Sequence, residues 1–171
     1  MRAAADVLAL LASGQDWEVR RAVAWNLNTP AATLYDLADD EEWRVRRGVA
    51  ANPATDEQTL TMLANDRHPG VREGVAGNWL TLPTVLERLA DDPDCGVRVA
   101  AARNHRTPAD VLARLILDRE QAVRDAVEDA RQRAVDGYVQ RLWGRAREHA
   151  ALLAPTFTGW PDDLEAIINN L

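Results

Sequence analysis

The dipeptide Val-Arg recurs every 26 residues along most of this chain, at 19–20, 45–46, 71–72, 97–98 and 123–124. Other rows keep the same period: Asn26, Asn52, Asn78 and Asn104; Thr29, Thr55, Thr81 and Thr107; Leu34, Leu60, Leu86 and Leu112; Leu37, Leu63, Leu89 and Leu115; Asp40, Asp66, Asp92 and Asp118. A period of this size is typical of a solenoid, because one small unit cannot bury its apolar face alone. The sequence therefore predicts a tandem-repeat protein.

The first part of each repeat has the pattern of a short helix. Val45 and Val49, with Gly48 between them, fall on one face of about two helical turns. Asn52 followed by Pro53 is predicted to end this helix, since a residue before proline is pushed out of the helical region.

A second short helix follows in each repeat. It is predicted to begin at Thr55, with the hydroxyl as N-cap and Gln58 as its capping-box partner. In two sister repeats, Pro30 and Pro108 are predicted to occupy the first helical position. The residues that this helix is expected to bury are Thr59 (Val85 in the next repeat), Leu60, Leu63 and Ala64.

Two segments carry the repeat most clearly: VRRGVAANPATDEQTLTMLAND at 45–66 and VRVAAARNHRTPADVLARLILD at 97–118. They resemble the leucine-rich repeat variant family, whose pattern is roughly VRxxVAxNPxTPxxxLxxLAxDPD, over residues 7–130. The resemblance implies an α-solenoid, related in kind to HEAT and armadillo repeats, in which α-helices alternate with 3₁₀-type helices in a right-handed superhelix. The period is slightly longer than the family's, and the cysteine cluster that holds an iron–sulfur centre in one type of member is missing. No cofactor is therefore expected.

The predicted fold is all-α, a right-handed α-solenoid of about four two-helix repeats. Leu8, Leu11 and Ala12 precede Leu34, Leu37 and Ala38 by one period, so the first residues are predicted to be an N-terminal half repeat rather than a signal peptide.

The repeat period ends after Ala130. One longer helix is predicted from 123 to 153, as the C-terminal helical cap that a solenoid needs over its last open face. Residues 1–130 are thus assigned to the solenoid and 131–171 to the cap and a tail helix, within one continuous domain. The tail helix at 161–171 has an apolar stripe, and is predicted to fold back on the cap; a detachable motif for a partner is the alternative.

Few side chains offer catalytic chemistry. The chain has one serine, Ser13, one cysteine, Cys95, no lysine, and none of the HExxH, phosphate-loop or paired-cysteine motifs. His68, His105 and His149 lie at unrelated phases of the repeat without metal-ligand spacing. The sequence predicts a non-enzymatic protein with no catalytic residue and no metal site.

Cellular context follows from two features. A single cysteine fits a reducing cytoplasm, and no run of 18 apolar residues is present that would cross a membrane. We expect a cytoplasmic protein, monomeric, with no membrane contact.

The charge is distributed unevenly along the chain. The formal net charge is −7; residues 1–96 carry nine arginines against sixteen acids, and residues 97–147 carry eleven arginines against seven acids. A uniform nucleic-acid-binding surface is not expected from this balance. The alternative function, nucleic-acid binding like that of HEAT-like solenoid DNA glycosylases, depends on the arginine-rich region alone.

The Arg and Asp rows are predicted to pair within or between repeats, since residues common to all repeats usually serve the stacking common to all repeats. Function is better sought where the repeats differ. We name the turn after each first helix the turn edge; its equivalent positions are Trp25, Ala51, Gly77 and Arg103, then Leu27, Pro53, Trp79 and His105, then Asn28, Ala54, Leu80 and Arg106.

The turn edge runs from aromatic to basic, as an interface with anchors for a partner would. Candidate partner-binding residues are Trp25, Trp79, Arg103, His105 and Arg106, and the predicted partner is another protein or peptide. The alternative is that the large side chains only cover neighbouring turns, which is the interpretation we apply to Trp17 and Trp43.

Overall fold

The computed structural model describes the backbone of residues 2–153 and the side chains of residues 4–137. The predicted tail helix at 161–171 lies outside the described residues. The chain divides into two compact units, Met1–Arg131 and Gln132–Leu171.

Ten helices account for the described chain, and these residues include no strand. In order they are α1 (Arg2–Ala12), α2 (Trp17–Trp25), α3 (Ala31–Leu37), α4 (Trp43–Ala51), α5 (Glu57–Leu63), α6 (Pro69–Gly77), α7 (Pro83–Leu89), α8 (Cys95–Arg103), α9 (Ala109–Leu115) and α10 (Gln121–Leu153). The all-α prediction is confirmed, and so is a single long helix over 123–153.

The two helices of each repeat alternate as predicted. The first helices, α2, α4, α6 and α8, have nine residues each, and consecutive first helices pack against one another. The second helices, α3, α5, α7 and α9, have seven residues each. In α1, Leu8 and Ala12 pack against the core, whereas Leu11 stays largely exposed.

The second helices are α-helical rather than of the 3₁₀ type that the resemblance implies. In α5, the backbone N–H of Leu60 donates to the carbonyl of Asp56 and that of Ala64 to the carbonyl of Leu60, which is α-helical spacing. A seven-residue helix is long enough for such bonds, because the carbonyl of its N-cap residue accepts the N–H of the residue four positions later.

The core is one continuous aliphatic ladder. Val45, Val49, Leu60 and Leu63 are almost fully buried, as are most of their counterparts in the other repeats, and in α10 the first two turns add Val123, Ala126 and Val127. Burial of such a side chain stabilises the fold by about 1.5 to 3 kcal/mol. The predicted row of buried residues, including Thr59 and Ala64, is confirmed.

A small residue between the two valines of each first helix sets the closeness of the stack. A Cβ atom at Gly74 would lie 3.0 Å from the Cβ of Ala50, and one at Gly48 would lie 2.9 Å from the Cβ of Ala24. Consecutive first helices are therefore in contact at these glycines, and Gly74 serves this close packing.

The arginines of the first four Val-Arg pairs each join their own repeat to the preceding segment of the chain. Arg46 binds Asp66 of its own repeat in a bidentate pair, with Nε to Oδ2 at 2.6 Å and Nη2 to Oδ1 at 3.0 Å. Its remaining nitrogen, Nη1, donates to the carbonyl of Asp40 in the preceding repeat at 2.6 Å. Arg20, Arg72 and Arg98 pair in the same way with Asp40, Asp92 and Asp118. The predicted pairing is confirmed, and it acts both within and between repeats.

These pairs are largely removed from water, with Arg46 and Asp66 side chains only 6% and 7% exposed. Burial by itself raises the pKa of Asp66, but the hydrogen bonds from Arg46 and from the His68 backbone N–H outweigh it, so the pKa lies below its usual value. The pKa values of Asp40 and Asp92 are lowered by the same balance. The folded state therefore holds these carboxylates ionised.

Asparagine forms a second ladder between repeats. The side-chain amide of Asn78 donates to the carbonyl of Ala50 at 2.8 Å and to that of Asn52 at 3.0 Å, both in the preceding repeat. Its Oδ1 accepts from the backbone N–H of Leu80, which shapes the turn. Asn52 and Asn104 make the same contacts, while Asn26, in the first repeat, is exposed.

The threonine row ends the first helix instead of opening the second, so the capping box predicted from Thr55 and Gln58 is wrong. The Thr55 hydroxyl donates to the carbonyl of Val49 at 2.6 Å, a carbonyl in the last turn of α4 that also accepts the backbone N–H of the C-cap residue Asn52. Asp56 is the N-cap of α5, accepting from the backbone N–H of Thr59 at 2.7 Å.

Proline also stands one residue earlier than predicted. Pro30 and Pro108 occupy the N-cap positions of α3 and α9, and neither makes a side-chain cap. First-helix caps come from residues that the sequence pattern did not single out. Asp16, Glu42, His68 and Asp94 each accept the backbone N–H two residues on.

We expect Asn78→Ala to lower the free energy of unfolding by about 2 to 4 kcal/mol, because two buried carbonyls lose their donor. Asn26→Ala is the matched control, with an expected loss under about 1.5 kcal/mol, since only a turn hydrogen bond disappears. Urea unfolding of both variants measures the difference. Equal losses would show that the asparagine ladder does not hold the repeats together.

The Arg–Asp pairs predict acid sensitivity. A carboxylate whose pKa is lowered by folding stabilises the protein above its unfolded pKa of about 3.9, and this stabilisation is lost as the pH falls through the folded pKa. Unfolding free energies measured from neutral pH to about pH 2 should therefore decline below about pH 4. Asp66→Asn should reduce the slope of that decline, and Asp39→Asn, at an exposed site, is the control. An identical slope in wild type and Asp66→Asn would contradict this linkage.

Candidate partner-binding surface

The turn edge faces solvent. Leu27, Pro53, Trp79 and His105 occupy the same position of four consecutive repeats, and all four are exposed. Leu27 is 70% and Trp79 58% exposed, so large apolar groups stand at turn positions where nothing in their own repeat covers them. This row therefore offers apolar anchors to another molecule.

Two of the predicted basic site residues are engaged within the protein. Arg106 donates through Nη1 to the carbonyl of Leu80 at 2.9 Å and lies 3.8 Å from a carboxylate oxygen of Glu57. Arg103 lies 4.0 Å from Asp129, in an exposed pair worth little stability. Arg106 thus supports the adjacent turn, whereas Arg103 and His105 stay accessible at the surface.

The indole of Trp25 lies against the next repeat. A Cβ atom at Gly48 would lie 3.0 Å from Cδ1 of that ring, so the missing side chain at Gly48 makes room for it. Trp25 is nevertheless 46% exposed. It therefore forms a wall at the surface of the first helices, and sequence alone did not reveal the role of Gly48 in placing it.

We name the depression beside Trp25 the helix groove; it has a volume of about 240 Å³ and runs across α4 and α6 toward α8. Small residues, Ala51, Gly74, Gly77 and Ala100, line much of it, and Arg47 and Glu73 stand among them. Nothing lies within 4 Å of a Cβ atom built at Gly77, so the groove is open there. Trp25 belongs to this groove, but Trp79 does not line it.

A second cavity of about 160 Å³ adjoins the groove and shares Trp25 and Arg47 with it. We name it the arginine pocket; its other lining residues are Arg21, Trp43 and Arg44. These arginines were not predicted from the sequence as site residues. The available signal was variation along the repeat, because the position of Arg21 and Arg47 is taken by Glu73 and Val99 in the next two repeats.

An aromatic stack closes one side of the arginine pocket. The rings of Trp43 and His68 lie 3.7 Å apart and nearly parallel. The guanidinium carbon of Arg44 lies 4.8 Å from the centre of the Trp43 ring and 5.5 Å from that of Trp17, within cation–π range. Trp17 and Trp43 are half-buried against the core, which confirms their packing role.

A larger cavity, about 380 Å³, lies between the loops that follow α3 and α5. Its charged lining includes Asp40, Arg46 and Asp66, which already serve the links between repeats. Ligand binding there would compete with the contacts that hold the stack, so we do not assign it a function.

Among the described residues, no three His, Cys, Asp or Glu side chains are arranged to hold a metal ion, and Cys95 is exposed and free. No helix within the described part of the chain is both long and apolar enough to cross a membrane.

The close approach of Trp25 to Gly48 predicts opposite effects for two similar substitutions. Gly48→Ala should lower the free energy of unfolding by about 1 to 3 kcal/mol through overpacking against Ala24 and Trp25. Gly77→Ala should be neutral or raise it by up to about 1 kcal/mol, because alanine favours helix and the site is open. Chemical denaturation compares the two; equal stabilities would contradict the contact.

Comparison with known proteins agrees with this architecture. The family model described as leucine rich repeat variant matches residues 43–68, and no curated protein matches significantly. Among solved structures, the chain is similar to one described as a leucine-rich repeat variant with a novel repetitive protein structural motif, at 28% identity and a TM-score of 0.59. That match covers 74% of this chain and 50% of the other, so this chain spans half the length of that protein. The family model thus matches one repeat of this chain, and the chain has the solenoid fold of that leucine-rich repeat variant structure.

Proposed function

We propose that this chain is a non-enzymatic repeat module that binds another protein through the turn edge and the adjoining helix groove. The observation that carries the proposal is the row of exposed residues at the turn edge, Leu27, Pro53, Trp79 and His105. Exposed apolar and aromatic groups that stand side by side are typical of protein interfaces, where a few such anchors supply most of the affinity.

The difference between recurring and varying repeat positions supports the proposal. Most positions that recur in every repeat pack in the core or link one repeat to the next; they hold Val, Leu, Arg, Asn and Thr. Positions that vary, such as Trp25, Gly77 and Trp79, lie at the surface. Variation that the fold does not require leaves these positions free to fit a particular partner.

Electrostatics favour a protein partner over a nucleic acid. The arginines of the turn edge, Arg103 and Arg106, lie near Asp129 and Glu57, which reduces the positive potential that a phosphate backbone needs. No observation on the described residues favours the DNA glycosylase-like alternative.

The test uses the full chain as bait in a native lysate, with bound proteins quantified by mass spectrometry. Trp79→Ala should reduce retention of the specific partner at least about tenfold, since truncation of an aromatic anchor costs 2 kcal/mol or more. Gly77→Trp should have a similar effect by filling the groove, where a side chain meets no neighbour.

Arg88→Gln, at an exposed site on α7, is the control and should retain the partner. Melting temperatures of all variants establish that the fold is kept. If wild type, Trp79→Ala and Gly77→Trp retain the same proteins in equal amounts, the proposed surface is wrong.

A further inference from the structure

The arginine pocket brings together three guanidinium groups from two repeats. Arg21 comes from α2, and Arg44 and Arg47 come from α4; Trp25 and Trp43 complete the lining. The side chains of Arg44 and Arg47 are 48% and 45% exposed. A volume of about 160 Å³ admits a small acidic group but not a whole folded element.

The three arginines differ in how far their hydrogen-bonding capacity is used. Arg21 has no hydrogen bond or ion pair to any residue that the structure describes. Arg47 approaches Glu73 at 4.0 Å, beyond hydrogen-bond distance. Arg44 is bound to Glu42 at 2.9 Å and lies over Trp43. Two guanidinium groups therefore keep donors for an external acceptor, and the third is fixed beside them.

The tryptophan rings strengthen this capacity. Trp25 and Trp43 line part of the pocket with apolar surface, and a charge-assisted hydrogen bond is stronger where the local dielectric is lower. A planar guanidinium matches a carboxylate with two parallel N–H···O bonds. The pocket thus has both the charge and the donor geometry for a carboxylate.

Beyond the arginine pocket, the surface becomes more apolar. The helix groove continues from the shared residues Trp25 and Arg47 along Ala51, Gly74 and Gly77, which present only small apolar groups or backbone. An occupant that spans both features is therefore acidic at one end and apolar next to it.

We propose that the arginine pocket binds the carboxylate of an acidic residue in the partner protein, while neighbouring apolar residues of the same peptide segment lie in the helix groove. This inference rests on the proposed protein-binding function and names the chemistry of the segment that is recognised.

Charge along the first helices favours a peptide over a nucleic acid. At the repeat position of Arg21 and Arg47, the following repeats carry Glu73, Val99 and Asp125. A phosphodiester strand along this face would place negative phosphates beside Glu73 and Asp125. A peptide needs an acidic residue only at the arginine pocket and can place uncharged residues beside Glu73.

The experiment selects peptides from a random linear library, displayed on phage, with the full chain as target. Enriched sequences should carry Asp or Glu beside apolar residues. A fluorescein-labelled synthetic copy of the most enriched peptide is then titrated by fluorescence anisotropy against wild type, the double variant Arg21→Gln/Arg47→Gln, and the control Arg88→Gln.

The double variant should bind this peptide at least about tenfold more weakly, as loss of charge-assisted hydrogen bonds requires. Replacing the peptide's acidic residue by its amide should weaken binding to wild type by a similar factor. The same amide replacement should weaken binding to the double variant little further, because the change in the peptide and the change in the protein remove the same contact. The control should bind like wild type.

Two results overturn the inference without touching the proposed function: selected peptides that lack acidic residues, and acidic peptides that bind the double variant as well as they bind wild type. Gly77→Trp should still block such peptides if the groove binds protein. Failure to select any peptide overturns the inference as well, and the lysate experiment then judges the protein-binding function separately. Competition by duplex DNA that is lost in the double variant would reassign the pocket to nucleic acid.

Discussion

The stack depends on one interaction, which is made by the arginines of the first four Val-Arg pairs. One guanidinium holds the aspartate of its own repeat through two nitrogens and a backbone carbonyl of the preceding repeat through the third, as Arg46 does with Asp66 and Asp40. Removal of these charges from water is costly, and only complete hydrogen bonding on both partners offsets the cost. Because the geometry needs both repeats in place, each pair fixes the position of one repeat against the next.

The asparagine and threonine rows supply further hydrogen bonds at the C-terminal end of the first helix. Asn78 supplies donors to two carbonyls of the preceding repeat, and Thr81 supplies one to the end of its own helix at Val75. Short helices leave a large share of their carbonyls without helical donors, so a solenoid of short helices needs such side chains in every repeat. Because the buried rows are required for stacking, only positions at the turns and on the outer face can vary between repeats. These positions form the turn edge, the helix groove and the arginine pocket.

Much of the fold could be predicted from the sequence because its signals are local and repeated. The alternation of two short helices, the buried valine and leucine rows and the close approach at Gly48 and Gly74 all follow from spacing along the chain. The errors concern contacts across a turn. A threonine next to a helix start has the pattern of an N-cap, yet the Thr55 hydroxyl donates back to the carbonyl of Val49, and the next residue, Asp56, is the N-cap of α5. His68 as a helix cap and the α-helical form of the second helices were likewise missed.

For function, the sequence by itself determined that this is a helical solenoid whose repeats resemble the leucine-rich repeat variant and carry no catalytic motif. It also showed that the repeats differ from one another mainly at the turns. It also identified Trp25 and Trp79 as aromatic groups outside the core rows. Tertiary structure alone decided that Trp25 packs over Gly48, that Arg106 binds the neighbouring turn, and that Arg21, Arg44 and Arg47 share one pocket. The physical reason is that a period along the chain fixes which residues are equivalent, whereas side chains from two repeats meet only when stacking brings successive helices into contact.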